Sequence, residues 1–335
     1  MTASSRDEKL VLGIESTAHT FGVGIASSAG RILANVNYVY APRAGGIHPR
    51  EAAQHHGRVA AGALKEAFEK AGVSPEDIDG VAFSMGPGMG PCLRVGATVA
   101  RAIALKLGKP LIGVNHSVAH IEIGRLMTGC RDPVILYVAG GNTMIAGYID
   151  GRYRVLGETL DIAAGNCLDV FGIKAGIGPM PAPEEYARRG EKFHPLPYRV
   201  KGMDVSFSGL LTAALKLLGS IKLEDLCLSI TETVYSMLTE TLERALAYAE
   251  KEEILLVGGL ARSRRLREMI EEMARLHGAR VYCAPPEYAG DNGAMIAWTG
   301  ALQLIAGQTL SIEESRVKPR FRMDEAEARW RELGL

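Results

Sequence analysis

His116 and His120 stand four residues apart in Asn115-His-Ser-Val-Ala-His-Ile-Glu122. On a helix this spacing stacks both imidazoles on one face, where they can share a metal ion. Taken alone, the pair also suits two solvated or hydrogen-bonded side chains on a polar face. The metallopeptidase motif His-Glu-x-x-His is absent, because Ser117 stands where that motif has its glutamate base. Asp291, in Gly290-Asp-Asn-Gly-Ala-Met295, is a carboxylate suited either to a metal or to capping the helix it opens. Asp161 and Asp169 flank a short helical stretch containing Gly165-Asn166, where either can hold a ribose hydroxyl or cap.

Three glycine-rich turns offer backbone amides. Gly140-Gly141-Asn142-Thr143 can converge N–H groups on an anion, or make a plain hairpin turn. Val257-Gly258-Gly259-Leu260 ends a strand before a helix, where α/β sheets admit nucleotides and where ordinary strand-to-helix turns also occur. Gly86-Pro-Gly-Met-Gly-Pro91 is not a Walker A loop, since no Gly-Lys-Ser/Thr follows, and the chain has no Gly-x-Ser-x-Gly elbow. Arg262, Arg264, Arg265 and Arg267 open the next helix, either to meet phosphates or as a solvated face.

The elements that must position these groups repeat. Leu10 to Glu15, Phe21 to Ala26 and Arg31 to Tyr38 read as a meander of three strands. The pattern returns at Val134 to Val138, Met144 to Ile149 and Tyr153 to Gly157, with Ala-Gly-Arg-Ile-Leu matched by Asp-Gly-Arg-Tyr-Arg-Val-Leu. A repeat separated by more than a hundred residues is too long for a solenoid and predicts two similar α/β domains across a cleft, divided as 1–130 and 131–335. Helices are expected over 50–71, 93–107, 262–277 and 291–305, and from Asn115 as N-cap to Leu126. Single strands are expected over 81–84, 111–114, 254–257 and 280–283. Strands alternating with helices add parallel pairing to each meander, hence a mixed sheet in each half. Residues 203–218 and 223–249 read as helical insertions in the second half.

Composition sets bounds on this reading. The 335 residues carry 38 lysines and arginines against 38 aspartates and glutamates, 47% hydrophobic residues, 39 glycines and five cysteines. That balance excludes disorder, collagen and coiled coil, and argues against gripping nucleic acid with the whole surface. The odd number of cysteines, with no Cys-x-x-Cys, argues against a disulfide framework and fits a reducing compartment. No apolar run approaches the ~20 residues of a membrane helix, and the first residues lack the apolar core of a signal peptide. A cytoplasmic protein without membrane contact is expected.

In order along the chain, GIESTAHTFGVGI, GGIHPREAAQHH, SMGPGMGPCLRVG, NHSVAHIE, YVAGGNT, GETLDIAAGNCLDVF, KGMDVSFSGLL, VGGLA and GDNGAMIAW closely resemble the universal tRNA threonylcarbamoyladenosine transferase family, in its archaeal–eukaryotic KEOPS branch. The resemblance implies an α/β fold of the actin/Hsp70/sugar-kinase class, with two duplicated mixed-sheet domains around a central cleft. It implies transfer of threonylcarbamoyl from threonylcarbamoyl-AMP to N6 of the adenosine next to the anticodon, in tRNAs reading codons that begin with A. By motif match, His116, His120 and Asp291 would hold one divalent iron or zinc ion, with Tyr137 as a further ligand. Tyr137, Val138, Ala139, Gly140, Gly141, Asp169, Glu184 and Asp291 would surround the adenylate. The implied partners are tRNA, a small atypical kinase subunit and small accessory subunits. For proton transfer, His19 in the first meander turn is the candidate.

This chain departs from the family twice. The family's Pro-Gly-Gly-Pro turn becomes Gly176-Ile-Gly-Pro-Met-Pro-Ala-Pro183, with Pro179 and Met180 in place of the glycines. Pro179 has no N–H to offer and Met180 lacks glycine's freedom. Ser263 replaces the asparagine that follows the strand glycines. Both positions belong to the family's nucleotide site. They motivate an alternative, a nucleotide- and metal-binding scaffold subunit with reduced catalysis. A small-molecule kinase of the same fold ranks lower, since Glu15 and His19 occupy the first hairpin where such kinases display an aspartate. A metallopeptidase ranks last.

Overall fold

Both meanders form, and each is extended by the parallel strands expected of it. The computed structural model describes residues 8–42, 46–139 and 141–334. Its first half runs β1 (Leu10–Glu15), β2 (Thr20–Ser27), β3 (Ile32–Val39), α1 (Pro49–Ala71), β4 (Gly80–Gly86), α2 (Gly90–Leu107), β5 (Leu111–Asn115) and α3 (His116–Thr128). The second half begins β6 (Val134–Val138), β7 (Thr143–Ile149), β8 (Arg152–Glu158), α4 (Ala164–Lys174) and α5 (Ala182–Ala187). It continues β9 (Val200–Lys201), β10 (Asp204–Val205), α6 (Ser208–Leu217), α7 (Leu223–Ala249), β11 (Glu253–Val257), α8 (Arg264–Leu276), β12 (Arg280–Cys283), α9 (Pro286–Ala289) and α10 (Gly293–Ile305).

The first sheet has the order β3-β2-β1-β4-β5 and the second β8-β7-β6-β11-β12. In each, the meander strands pair antiparallel and the last two strands add in parallel. Replacing each strand of the first sheet by its counterpart in the second reproduces the topology, so the duplication read from the turns extends to the whole sheet.

The chain divides into two compact units. One takes the chain up to Leu126, the turn Asp150–Tyr153 and everything from Asp291 on; the other takes Met127–Ile149 and Arg154–Gly290. The expected boundary at residue 130 therefore misassigned the C-terminal stretch, which returns to the first unit. The cause is α10, which packs on β1, β2 and β4. It approaches so closely that a Cβ on Gly13 would lie 2.1 Å from the Ala297 nitrogen, and one on Gly24 2.4 Å from that of Ala294. Glycine on the strands is what lets helix and sheet backbones meet. Every residue of β2 and β4 is buried.

In the second unit α7 supplies the apolar stripe Leu226, Ile230, Val234, Leu238 and Leu242, at helical spacing, and packs on β6, β7, α5, α6 and α8. The helix expected from Met203 starts only at Ser208. Asp161 accepts hydrogen bonds from Phe207 N and Ser206 Oγ at 2.8 and 2.6 Å, and from Ser208 N and Oγ, while β9 and β10 form a two-residue ladder before it. Local side-chain acceptors of this kind compete with a helical start. Among the described residues no helix is long and apolar enough to cross a membrane.

Candidate active site

In the first unit β5 feeds directly into α3. Asn115 caps the junction, its Oδ1 accepting from Ser117 N at 3.0 Å and Val118 N at 3.1 Å. Successive turns at the start of α3 then present His116 and His120 with ring centroids 4.7 Å apart and planes nearly perpendicular. Asp291 reaches the same point from the start of α10. The helix is capped by Asn292, whose Oδ1 accepts from Met295 N at 2.9 Å, so the capping role available to Asp291 from sequence falls to its neighbour. Asp291 Oδ1 lies 3.2 Å from His120 Nε2 and 3.5 Å from His116 Nε2. One ligand atom from each of the three residues falls within 4.8 Å of the others.

Glu15, fully buried at the end of β1, completes the arrangement. Its Oε2 is 3.0 Å from His116 Nδ1, and its Oε1 accepts from Thr17 N at 2.6 Å and Thr17 Oγ1 at 2.5 Å. An ionised carboxylate only accepts, so it holds the proton on Nδ1 and leaves Nε2, the nitrogen facing Asp291, for a metal. The turn after β1 is itself held by the glycine-rich loop: Met89 N donates to Thr17 O at 2.8 Å, and a Cβ on Gly88 would lie 2.8 Å from that carbonyl oxygen. His19 Nδ1 stands 3.9 Å from Asp291 Oδ2, with its side chain 42% exposed.

The electrostatics follow from burial and contact. Burial opposes the charged form of His116, but the Glu15 and Asp291 carboxylates outweigh it and its pKa is raised to about 9. Burial dominates at His120, whose pKa is lowered despite the hydrogen bond to Asp291. Burial pushes the Asp291 carboxyl up, yet the neighbouring imidazoles overcome this and hold it below the usual range. Two buried imidazole nitrogens and one carboxylate oxygen, with the outer nitrogen of one ring fixed by a second carboxylate, fit a divalent transition metal better than a hard magnesium or calcium ion.

The second unit holds a cavity of about 600 Å³ lined by Ala139, Gly165, Asp169, Met180, Glu184, Ser263 and their neighbours. Five residues expected at the adenylate thus share one wall: Ala139, Asp169, Met180, Glu184 and Ser263. Asp169 lies within α4 rather than beside it. Its burial raises its pKa, opposed by Met180 N, which donates to Oδ1 at 2.8 Å. The altered turn is therefore fastened to the very carboxylate expected to face nucleotide. Glu184 is buried on α5, accepts from Tyr235 Oη at 3.2 Å and lies 3.4 Å from Arg188 Nη2. Ser263 caps α8, its Oγ accepting from Leu266 N at 3.1 Å.

The paired glycines after β11 differ in purpose. Gly258 has φ +96° and a Cβ there would lie 2.4 Å from Val138 O, so it serves the packing of β11 on β6. Gly259 has open space around it and faces the cavity. Tyr137 and Val138 are buried in β6, outside the cavity lining, and Gly141 is also outside it. Gly140 lies outside the described residues. Sequence reasoning missed Glu15 as a partner of His116, although a carboxylate ending a buried apolar strand was the available signal. It also missed Arg188 on the cavity wall, where Arg262 and Arg264, two of the arginines read as able to meet phosphates, stand as well.

Known proteins share this architecture. A crystal structure of T.kodakarensis HypF matches 89% of this chain and 48% of that one at TM-score 0.62 and 14% identity. A ROK hexokinase from Thermus thermophilus matches at TM-score 0.52 and 17% identity, over 88% of this chain and 99% of that one. These likenesses place the fold in the actin/sugar-kinase class. In sequence, the chain is 59% identical over 325 residues to the tRNA N6-adenosine threonylcarbamoyltransferase of Thermofilum pendens, covering 96% of this chain and 97% of that protein. It is 51% identical over 325 residues to a Methanosarcina mazei protein named as bifunctional in tRNA threonylcarbamoyladenosine biosynthesis, covering 96% of this chain and 59% of that one. The family model described as TsaD, tRNA N6-adenosine threonylcarbamoyltransferase, matches residues 31–298. The chain therefore belongs to the tRNA N6-adenosine threonylcarbamoyltransferase family and is a transferase that modifies tRNA.

Proposed function

We propose that His116, His120 and Asp291 hold one divalent iron or zinc ion, and that the cavity of the second unit binds the adenylate of threonylcarbamoyl-AMP. The observation that carries this reading is the convergence of the three ligand atoms, with Glu15 fixing the tautomer of His116. When bound, the ion would supply Lewis-acid polarisation of carbonyl and phosphate oxygens. Tyr137 is assigned as a further ligand on the family resemblance, to be tested by the metal affinity of Tyr137→Phe.

In the transfer, the N6 amine of the adenosine next to the anticodon attacks the carbamoyl carbon of the mixed anhydride. A C–N bond forms, the C–O bond to phosphate breaks, AMP leaves and the amine loses one proton. The anhydride already carries the activation, so the chain contributes chiefly positioning. Asp169, Glu184 and Ser263 orient the adenosine moiety through hydrogen bonds, and Arg188, Arg262 and Arg264 stand where a phosphate would be neutralised. His19, part-exposed beside Asp291, accepts the proton. The tRNAs acted on are those reading codons that begin with A.

The scaffold reading is not favoured, because the high-identity relatives are named as the transferase over nearly their full length. The relative named as bifunctional extends beyond the region matched here, which supports a partner function; on the family resemblance the partners are a small atypical kinase and small accessory subunits, as in a KEOPS-type complex, in the cytoplasm. The reading is tested by incubating the protein and those subunits with threonylcarbamoyl-AMP and tRNA, then measuring nucleoside mass. His19→Gln is expected to lower kcat with the metal content unchanged. Full activity of that variant would remove His19 from the proton-accepting role.

A further inference from the structure

A chain with zero formal charge that acts on tRNA needs a local positive surface. The arginines opening α8 are poor candidates. Arg265 is paired in bidentate fashion with Glu232 at 2.7 Å for both bonds, Arg264 lies 3.2 Å from Glu268, and Arg262 Nη2 donates to Pro286 O at 2.7 Å. Arg264 and Arg265 thus each face a carboxylate, and Arg262 and Arg264 already line the cavity assigned to the adenylate.

The segment 188–201, Arg-Arg-Gly-Glu-Lys-Phe-His-Pro-Leu-Pro-Tyr-Arg-Val-Lys, differs beyond its first two residues, of which Arg188 lies 3.4 Å from Glu184 and Arg189 stacks on Tyr186. It carries five basic residues against one acidic. Lys192, Arg199 and Lys201 are exposed and, among the described residues, form no ion pair. Between these cations Phe193 is 50% exposed and Tyr198 46%. The segment is nevertheless held in place. Asp225 Oδ1 accepts from Glu191 N at 2.8 Å and Lys192 N at 3.1 Å, Ser229 Oγ accepts from His194 N at 2.8 Å, and Tyr198 Oη donates to Glu240 at 2.5 Å. Two prolines, Pro195 and Pro197, restrict the backbone further. Its first residue, Arg188, lines the cavity already described.

Unpaired cations interleaved with exposed aromatic faces, on a backbone fixed in advance, match the chemistry of single-stranded RNA, whose phosphates take the charges and whose unstacked bases take the rings. We propose that residues 188–201 form the surface that receives the unpaired loop nucleotides of the tRNA substrate, leading them toward the cavity at Arg188. This rests on the transferase reading above for the identity of the RNA.

The test uses the full chain with fluorescently labelled tRNA, followed by anisotropy over a range of salt concentrations, and the reconstituted modification reaction. The double variant Lys192→Glu/Arg199→Glu is expected to weaken tRNA binding at least tenfold. Its plot of log affinity against log salt should be shallower by about 1.4, from two lost single-strand phosphate contacts. Phe193→Ala should weaken binding about fivefold or more. Arg265→Gln, at a paired arginine, should leave tRNA affinity unchanged. Adenylate affinity, measured without tRNA, should be equal in all variants and shows that each has folded. Unchanged tRNA affinity and salt slope in the double variant would overturn the proposal, as would an equal loss in Arg265→Gln. Wild-type protein that binds tRNA through this segment but forms no modified nucleoside would overturn the transferase assignment and leave the RNA surface standing.

Discussion

Replacing Glu15 by glutamine changes one atom's hydrogen-bonding character and nothing of its size. In the wild type, Glu15 Oε1 is engaged by Thr17 N and Oγ1, and Oε2 faces His116 Nδ1. In Glu15→Gln the amide oxygen stays with Thr17, where two donors demand an acceptor, so the amide NH2 turns to His116. A donor there forces Nδ1 to accept and moves the imidazole proton to Nε2, the nitrogen that faces Asp291 at 3.5 Å. Loss of a carboxylate that orients a ligating histidine costs ~10–100-fold in metal affinity, about 1.4–2.8 kcal/mol by the tenfold-per-1.4 rule. A second effect opposes it. In the metal-free wild type Glu15 helps to raise the His116 pKa to about 9, so below that pH a proton must leave before metal binds. The apparent wild-type affinity should therefore rise about tenfold per pH unit up to about pH 9, whereas in the variant the rise ends at lower pH. The clean comparison is at pH 9, by competition with a chelator of known affinity for zinc. There the variant should bind at least tenfold more weakly, and at pH 7 the gap should narrow. Equal affinities at pH 9, or a gap that widens as pH falls, would refute the tautomer argument.

Further outcomes test other parts of the structure. His56 is fully buried, its Nε2–H donating to Ala18 O at 3.1 Å, and burial lowers its pKa to about 4. A histidine less basic folded than unfolded leaves stability intact above its unfolded pKa, near 6.5, and removes it as pH falls toward the folded value. Up to about 3 kcal/mol should be lost between those limits, seen as a falling urea midpoint that flattens in His56→Gln. Gly24→Ala places a methyl 2.4 Å from the Ala294 nitrogen; because backbone cannot yield as a side chain does, unfolding free energy should drop by ~1–3 kcal/mol or more. Ser263→Ala should cost ~1 kcal/mol through the lost cap of α8, while Ser263→Asn keeps a cap of similar strength. Adenylate titration of Ser263→Asn then reads the nucleotide contact separately from stability.

Much of the fold was legible because its signals are local. The turns Ser28-Ala29-Gly30 and Asp150-Gly151 punctuate alternating apolar runs, and both put glycine at positive φ, +82° at Gly30 and +77° at Gly151. That made the duplicated meanders readable, and helix α7 emerged with its bounds as read, because a long amphipathic stripe is a strong signal. The domain boundary was not legible. Only the packing of α10 against Gly13 and Gly24 shows that the C-terminal segment belongs with the first sheet, and glycine in a strand does not say which backbone approaches it.

The site divides the same way. His116 and His120 announced themselves through spacing, but Asp291 joined them only through motif resemblance, since its nearest sequence role was a cap that Asn292 takes instead. Glu15 lies a hundred residues from His116, and no periodicity connects a strand end to a helix start. Arg262 to Arg267 looked like a positive surface in sequence, yet the partners that neutralise Arg264 and Arg265, Glu268 and Glu232, lie on α8 itself and on α7. The basic run at 188–201 carried no secondary-structure signal to draw attention to it, and its importance depends on anchoring by Asp225 and Ser229.

The most direct measurement of the central claim is the nucleoside composition of tRNA after incubation with threonylcarbamoyl-AMP, the partner subunits and either wild-type protein or His120→Ala. Mass spectrometry of the digested tRNA should find threonylcarbamoyladenosine with metal-replete wild type, and its loss both after chelation and in the variant. Undiminished product in the chelated protein and in His120→Ala would contradict the assignment of His116, His120 and Asp291 as the metal centre on which the transfer depends.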